Sequence, residues 1–308
     1  MIYTITFNPA IDLVYQLDNQ LQPGELNRSQ SEQVVAGGKG INISVLLHKL
    51  GIKSTATGFV GGFTGQYIIN VLENRQIPTH FISVDGITRI NAKINDNEMT
   101  EVNGSGPAIT PDNMQSLLTY LNTHLTDADT IFLAGNKGNG MSADDYIAVS
   151  KLANRNGAKL IIDSNTDLLT SCLTHQPFMV KPNKDELSDI FGVEIKTDHD
   201  VIHYAKELQQ MGARNVLVSM GGEGSLLLTV NNEVYKASVP EGEVINPTGA
   251  GDSMLAGFMA KYIETEDYQT SLQLAAACGS ATAFSTGIAS RSLINSLIDQ
   301  IKITKKGD

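Results

Sequence analysis

The segment Asn246-Pro247-Thr248-Gly249-Ala250-Gly251-Asp252-Ser253 runs a glycine-rich turn into the apolar stretch MLAGFMAKYI. The first amide protons of a helix have no intrahelical acceptor and carry partial positive charge. Glycine lets a ligand approach such a backbone closely. Such a site suits phosphate, and the charge that develops during phosphoryl transfer. Asp252, in the first turn beside it, is a candidate general base for an attacking hydroxyl. Taken alone, the segment reads equally well as a helix start with an acidic first-turn residue.

A second glycine turn, Val35-Ala36-Gly37-Gly38-Lys39-Gly40-Ile41-Asn42, puts a lysine and an asparagine at another helix start. It suits a polar, anionic substrate, or is a structural turn. It is not a P-loop, because Gln33 stands where the first glycine is required, and no G-x-G-x-x-G occurs. In Lys181-Pro182-Asn183-Lys184-Asp185-Glu186, Asn183 and Glu186 share one helical face. That oxygen pair suits Mg²⁺, which keeps several waters and few protein ligands. An asparagine N-cap followed by first-turn acids explains it as well. Ser219-Met220-Gly221-Gly222-Glu223-Gly224 reads as a strand-to-hairpin turn, or as a nucleotide-facing loop. His199 and His203, four apart, lack a third ligand and read as a solvated helix face.

The elements around these motifs alternate. Residues 2–7 read as a strand, 39–50 as a helix stopping at Gly51, and 53–60 as a strand. Thr110 and Pro111 cap a helix carrying Met114, Leu117, Leu118, Leu121 and Leu125 at helical spacing. Residues 129–134 read as a strand, Ser142 to about Asn156 as a helix, and 160–163 (LIID) as a buried parallel strand ending in Asp163. Thr197 and Asp200 form a capping box ahead of a helix ending at Gly212. Residues 216–220 read as another buried strand, and 224–230 with 233–239 as a hairpin turning at Asn231-Asn232. Beyond Gly251 the pattern is helical to the end. This alternation predicts an α/β sandwich with a mostly parallel sheet. Residues 11–35 and 88–103 break it, and predict a small second sheet standing off a single domain spanning 1–308.

The 308 residues carry a net charge of −11, which disfavours general binding to nucleic acid or anionic membrane. A small anion can still find a local cationic site, because charges beyond a Debye length of ~8 Å are screened. Two distant cysteines, Cys172 and Cys278, exclude a disulfide framework and fit a reducing compartment. With no signal peptide or membrane span legible, a cytoplasmic location is expected.

In this order, NPAID (8–12), AGGKGIN (36–42), ATGFVGG (56–62), TRIN (88–91), KPNKDEL (181–187) and PTGAGDSMLAGF (247–258) make the chain resemble the ribokinase/PfkB family of carbohydrate kinases. The resemblance covers nearly the whole chain. It is most similar to the bacterial branch of 1-phosphofructokinases and tagatose-6-phosphate kinases. It implies a Rossmann-like three-layer α/β/α sandwich with a small β-sheet lid that closes over the sugar and often forms a homodimer contact. It implies Asp252 as catalytic base and Gly249, Ala250 and Gly251 as the anion hole. It implies Asp12, Gly38, Lys39 and Asn42 at the sugar, with Arg89 and Arg28 as lid residues meeting the sugar phosphate. Lys181, Ser219, Gly221 and Gly224 match positions lining the ATP site, with the adenine near Ala275, Gly279 and Ala283. Asn183 and Glu186 match an element that acts through Mg²⁺ and the nucleotide phosphates.

The activity so implied is ATP-dependent phosphorylation of fructose 1-phosphate to fructose 1,6-bisphosphate, with tagatose 6-phosphate and fructose 6-phosphate as alternative substrates. A non-catalytic sugar-phosphate sensor and a nucleoside or aminopyrimidine kinase are the rivals on the same fold. One departure stands out. Where the branch reads G-S-L-P-P-G, this chain has Gly135-Asn136-Lys137-Gly138-Asn139-Gly140, so Lys137 is either a new phosphate contact or a solvated residue.

Overall fold

A computed structural model describes residues 1–96 and 98–306. The chain begins with β1 (Ile2–Thr6), β2 (Ala10–Leu17), β3 (Ser29–Gly37), α1 (Lys39–Leu50), β4 (Thr55–Val60), α2 (Gly62–Asn74) and β5 (Thr79–Ser83). It continues with β6 (Arg89–Asn95), β7 (Met99–Asn103), α3 (Pro111–His124), β8 (Thr130–Ala134), α4 (Ala143–Arg155), β9 (Lys159–Asp163) and α5 (Thr166–Cys172). Then come β10 (Met179–Val180), α6 (Lys184–Phe191), α7 (Asp198–Gln210), β11 (Asn215–Ser219), β12 (Ser225–Leu228) and β13 (Val234–Ala237). The last elements are α8 (Ala250–Thr265), α9 (Tyr268–Ala283), α10 (Arg291–Ile298) and β14 (Ile303–Lys306).

The main sheet has the order β14-β13-β12-β11-β10-β9-β8-β1-β4-β5. Strands β5 to β11 along that order run parallel, and β12, β13 and β14 are antiparallel. Alternation along the strands divides their side chains between two cores. In β9, Leu160 and Ile162 face the core under α3 to α7, whereas Ile161 faces the one under α1, α8, α9 and α10. These layers are the expected sandwich. The predicted caps recur: Thr110, Ser142 and Thr197 each close a capping box, and Gly51 ends α1.

Both irregular segments do form a second sheet, of order β3-β2-β6-β7. Along β6, Arg89, Asn91, Lys93 and Asn95 fall on the face toward the main body. The hairpin of β12 and β13 is present, with Asn232 in the left-handed region at φ 62°. The C-terminus corrects the sequence reading: the chain leaves α10 for β14, which pairs antiparallel with β13. ITKK is too short and polar to signal a strand. Its pairing partner supplies the ladder, and Lys306 and Lys305 reach Asp198 and Glu233.

Candidate active site

A cleft of about 1010 Å³ opens between the lid sheet and the C-terminal ends of the parallel strands. Crevices at that edge are the usual ligand sites of open α/β sheets. Thr6 ends β1, Asp163 ends β9 and Lys181 follows β10, so three neighbouring regions of the sheet deliver side chains to one floor. The N-terminus of α8 forms one wall and the lid face forms the roof.

At the corner under α8, Asn42 Nδ2 donates to Asp252 Oδ2 at 2.8 Å. Lys39 Nζ donates to Asp163 Oδ1 at 2.8 Å, and Lys181 Nζ lies 3.5 Å from the same oxygen. The other oxygen of Asp163 is buried and has no partner among the described residues. Burial opposes ionisation of Asp163, but Lys181 and Lys39 outweigh it and hold its pKa below the usual carboxylate value. Burial likewise opposes the charge on Lys39, and the carboxylates of Asp163 and Asp252 reverse that, so its pKa is raised. Asp252 goes the other way. Burial first, then the neighbouring Asp163 charge, push it up to about 6, against the pull of Lys39, Asn42 and Lys181. A carboxylate poised there is ionised near neutral pH and still basic enough to take a proton.

The turn before α8 depends on Gly249, whose φ of 81° is left-handed and whose added Cβ would lie 2.9 Å from Ile288 Cδ1. Here one expectation changes. The Ala250 amide donates to Pro247 O at 3.1 Å, closing the turn on itself. The amides of Gly249, Gly251 and Asp252 have no acceptor among the described residues. Gly249 and Gly251 line the cleft, and Asp252 stands in for Ala250 among the three free amides.

Of the expected sugar-binding residues, Asp12, Gly38, Lys39, Asn42 and Arg89 all line the cleft. Asp12 Oδ1 accepts from Asn91 Nδ2 at 2.8 Å, and Arg89 donates to Asn8 O and Asn91 Oδ1, each at 3.2 Å. Desolvation lowers the Arg89 pKa, though Asp12 counters it. Arg28 is exposed in the loop between β2 and β3 and is not brought to the cleft. Lys137 is also exposed and off the cleft, whereas its neighbour Asn136 lines it.

Of the expected nucleotide-site residues, Lys181 lines the cleft. Ser219, Gly221 and Gly224 sit just beyond it, between the ends of β11 and β12. Gly279 packs α9 against α8 at Ala250 and Met254, and the Ala283 carbonyl accepts the amides of Ile245 and Asn246. Asn183 and Glu186 form a reciprocal capping box, with both bonds at 2.7 Å. Glu186 keeps its second carboxylate oxygen free as a hard donor, whereas the single side-chain oxygen of Asn183 already accepts the Glu186 amide and has only its other lone pair to offer. That donor set fits a hydrated Mg²⁺ carried on a nucleotide, and no group of three or more acidic, His or Cys ligands exists among the described residues for a dedicated cage.

Asp163 joins the candidate site, signalled in the sequence only by a charge closing an apolar strand. Lys93 and Glu101, which the motifs do not include, also line the cleft. The signal for Lys93 is the alternation of polar and apolar residues along β6; MTEVN in β7 does not alternate and gives none for Glu101.

A lidded α/β/α sandwich with a buried acid and unpaired amides at one helix start defines a small-molecule phosphotransferase. The model of the pfkB family carbohydrate kinases matches residues 3–294, and the chain belongs to that family. It is 37% identical over 305 residues to a 1-phosphofructokinase of Bacillus subtilis, covering 99% of this chain and all of that one. It is 38% identical to a D-tagatose-1-phosphate kinase of Bacillus licheniformis, covering 99% of each. The crystal structure of phosphofructokinase-2 from Escherichia coli superposes with a TM-score of 0.90 at 25% identity, covering 97% of this chain and 98% of that one. The protein is a phosphotransferase acting on a sugar hydroxyl. No helix among the described residues is long and apolar enough to cross a membrane.

Proposed function

We propose that the protein transfers the γ-phosphoryl group of ATP to a ketose 1-phosphate, with fructose 1-phosphate as first substrate and fructose 1,6-bisphosphate as product. The observation that carries this reading is the corner where Asp252, with its pKa near 6, adjoins the unpaired amides of Gly249 and Gly251, under a lid that presents Arg89. The sugar lies between lid and floor, with Asp12 and Asn42 on its hydroxyls. Asp252 takes the proton from the attacking hydroxyl. The amides of Gly249, Gly251 and Asp252, with Lys39 and Lys181, stabilise the charge on the transferring group. The lid keeps water out and limits wasteful hydrolysis. Asn183 and Glu186 would hold the hydrated Mg²⁺ of the nucleotide, which would neutralise phosphate charge there.

The B. licheniformis relative favours a second reading, tagatose 1-phosphate. It stands beside the tagatose 6-phosphate read from sequence, and both Bacillus relatives, being named for sugars phosphorylated at carbon 1, favour the 1-phosphates. The E. coli neighbour keeps fructose 6-phosphate as the third candidate. A sensor has no use for a base in a buried corner. We further propose a homodimer joined through the lid, where Val34 and Val102 are exposed outside the cleft, and a cytoplasmic location consistent with two free cysteines. ADP release over fructose 1-phosphate, tagatose 1-phosphate, fructose 6-phosphate, free fructose and a nucleoside tests the activity. The ketose 1-phosphates should give the highest kcat/KM, and preference for the nucleoside or for no sugar overturns the reading.

A further inference from the structure

Resting on the reading that the acceptor is a sugar phosphate, we propose that Lys93 recognises the phosphate the sugar already carries. Four cations line the cleft among the described residues, and they are not equivalent. Lys39 and Lys181 are both committed to Asp163 at the transfer corner. Arg89 donates to the Asn8 carbonyl and to Asn91. Lys93 is enclosed, with its side chain only 15% exposed, yet its ammonium stands 3.5 Å from Glu101 Oε1 and 3.6 Å from Asp12 Oδ2. Those separations are long for hydrogen bonds to a charged group. An ammonium with three donors, largely removed from water and loosely paired, lacks an acceptor that a phosphate oxygen supplies.

Its position fits that role. Arg89, Asn91 and Lys93 alternate onto the cleft face of β6, and Asn91 bonds to Asp12 on neighbouring β2. The contacts Arg89–Asn91–Asp12–Lys93 thus form one chain, with a carboxylate in the middle and a cation at each end. A carboxylate accepts hydroxyl protons and repels phosphate, so Asp12 sorts the sugar hydroxyls to the middle and the phosphate to a cationic end. Lys39 is not available for it, being bound to the corner where the second phosphate is transferred. Glu101, half-exposed on β7, holds Lys93 in the empty cleft and gives way as the phosphate arrives.

Lys93→Met, Lys93→Arg and Glu101→Gln test this in steady-state assays with fructose 1-phosphate, using inorganic phosphate as the inhibitor. Lys93→Met should raise KM for the sugar phosphate roughly 10- to 100-fold, the effect of one charge-assisted hydrogen bond, with kcat and the KM for ATP within a few-fold of wild type. Inhibition by inorganic phosphate, competitive with the sugar phosphate, should weaken by a similar factor. Lys93→Arg should recover part of both, and Glu101→Gln should lower KM. An unchanged KM in Lys93→Met overturns the proposal. So does a raised KM with unchanged phosphate inhibition, which would make Lys93 only a support for Asp12. A wild type that phosphorylates no sugar phosphate refutes the underlying activity instead, so the two failures are distinct.

Discussion

At the residue scale, the corner is a competition between two buried carboxylates. Asp163 takes both lysines and stays ionised, and its charge helps lift Asp252 to about 6. Two consequences follow from the signs. First, kcat/KM should rise with pH through about 6, as the base ionises. Because the Asp252 pKa is raised on folding, the folded state holds an extra proton between about pH 4 and 6, so stability falls as pH rises across that window. Asp252→Asn should therefore melt at or above the wild-type Tm at pH 8, with the difference shrinking below pH 5, and a large loss of Tm at pH 8 would refute the stated environment. Second, Asp163→Asn removes the largest like-charge contribution to Asp252. Its acidic limb should move below that of the wild type, and a limb that stays or moves upward would refute the coupling. The same variant strands Lys39 and Lys181, so it should also lose stability, by about 3–5 kcal/mol for a broken buried pair.

At the element scale, two glycines are required by geometry. Gly58 sits in β4 opposite Thr6 of β1, where an added Cβ would stand 1.9 Å from the Thr6 carbonyl oxygen. Gly58→Ala should cost at least about 3 kcal/mol or prevent folding, because the clash is with backbone and no rotamer relieves it. Gly249→Ala meets a left-handed φ and the Ile288 side chain instead. It should keep the fold while kcat falls by roughly 10²-fold or more, the usual effect of disturbing an oxyanion-type donor, and normal kcat would remove that turn from the chemistry. Much of this frame was legible because it is local. The helix from Lys39 to Gly51, the caps at Thr110, Ser142 and Thr197, and the turn at Gly249 each depend on residues a few positions apart. The parts that were not legible depend on distance. Asp163 acquires its role from Lys39, 124 positions away. The polar tail ITKK becomes a strand only because β13 offers an open edge. The Ala250 amide faces Pro247 through a turn geometry that composition does not encode.

At the scale of the whole molecule, an acidic chain holds a cleft with equal numbers of cations and carboxylates among its described lining residues, so the anion site is local and not a property of net charge. The roof of that cleft is a four-stranded sheet with exposed apolar residues, which a second copy of the lid would cover. Light scattering should give twice the 33.1 kDa chain mass, and Val34→Asp combined with Val102→Asp should halve it. A monomeric wild type with full activity would show that one lid suffices to close the site.

If Asp252 takes the proton of the acceptor hydroxyl, the turnover of Asp252→Asn on fructose 1-phosphate must show it. With the variant folded and binding ATP as the wild type does, kcat should fall by about 10²–10⁴-fold, the range for loss of a general base. A kcat within a few-fold of wild type would contradict the account.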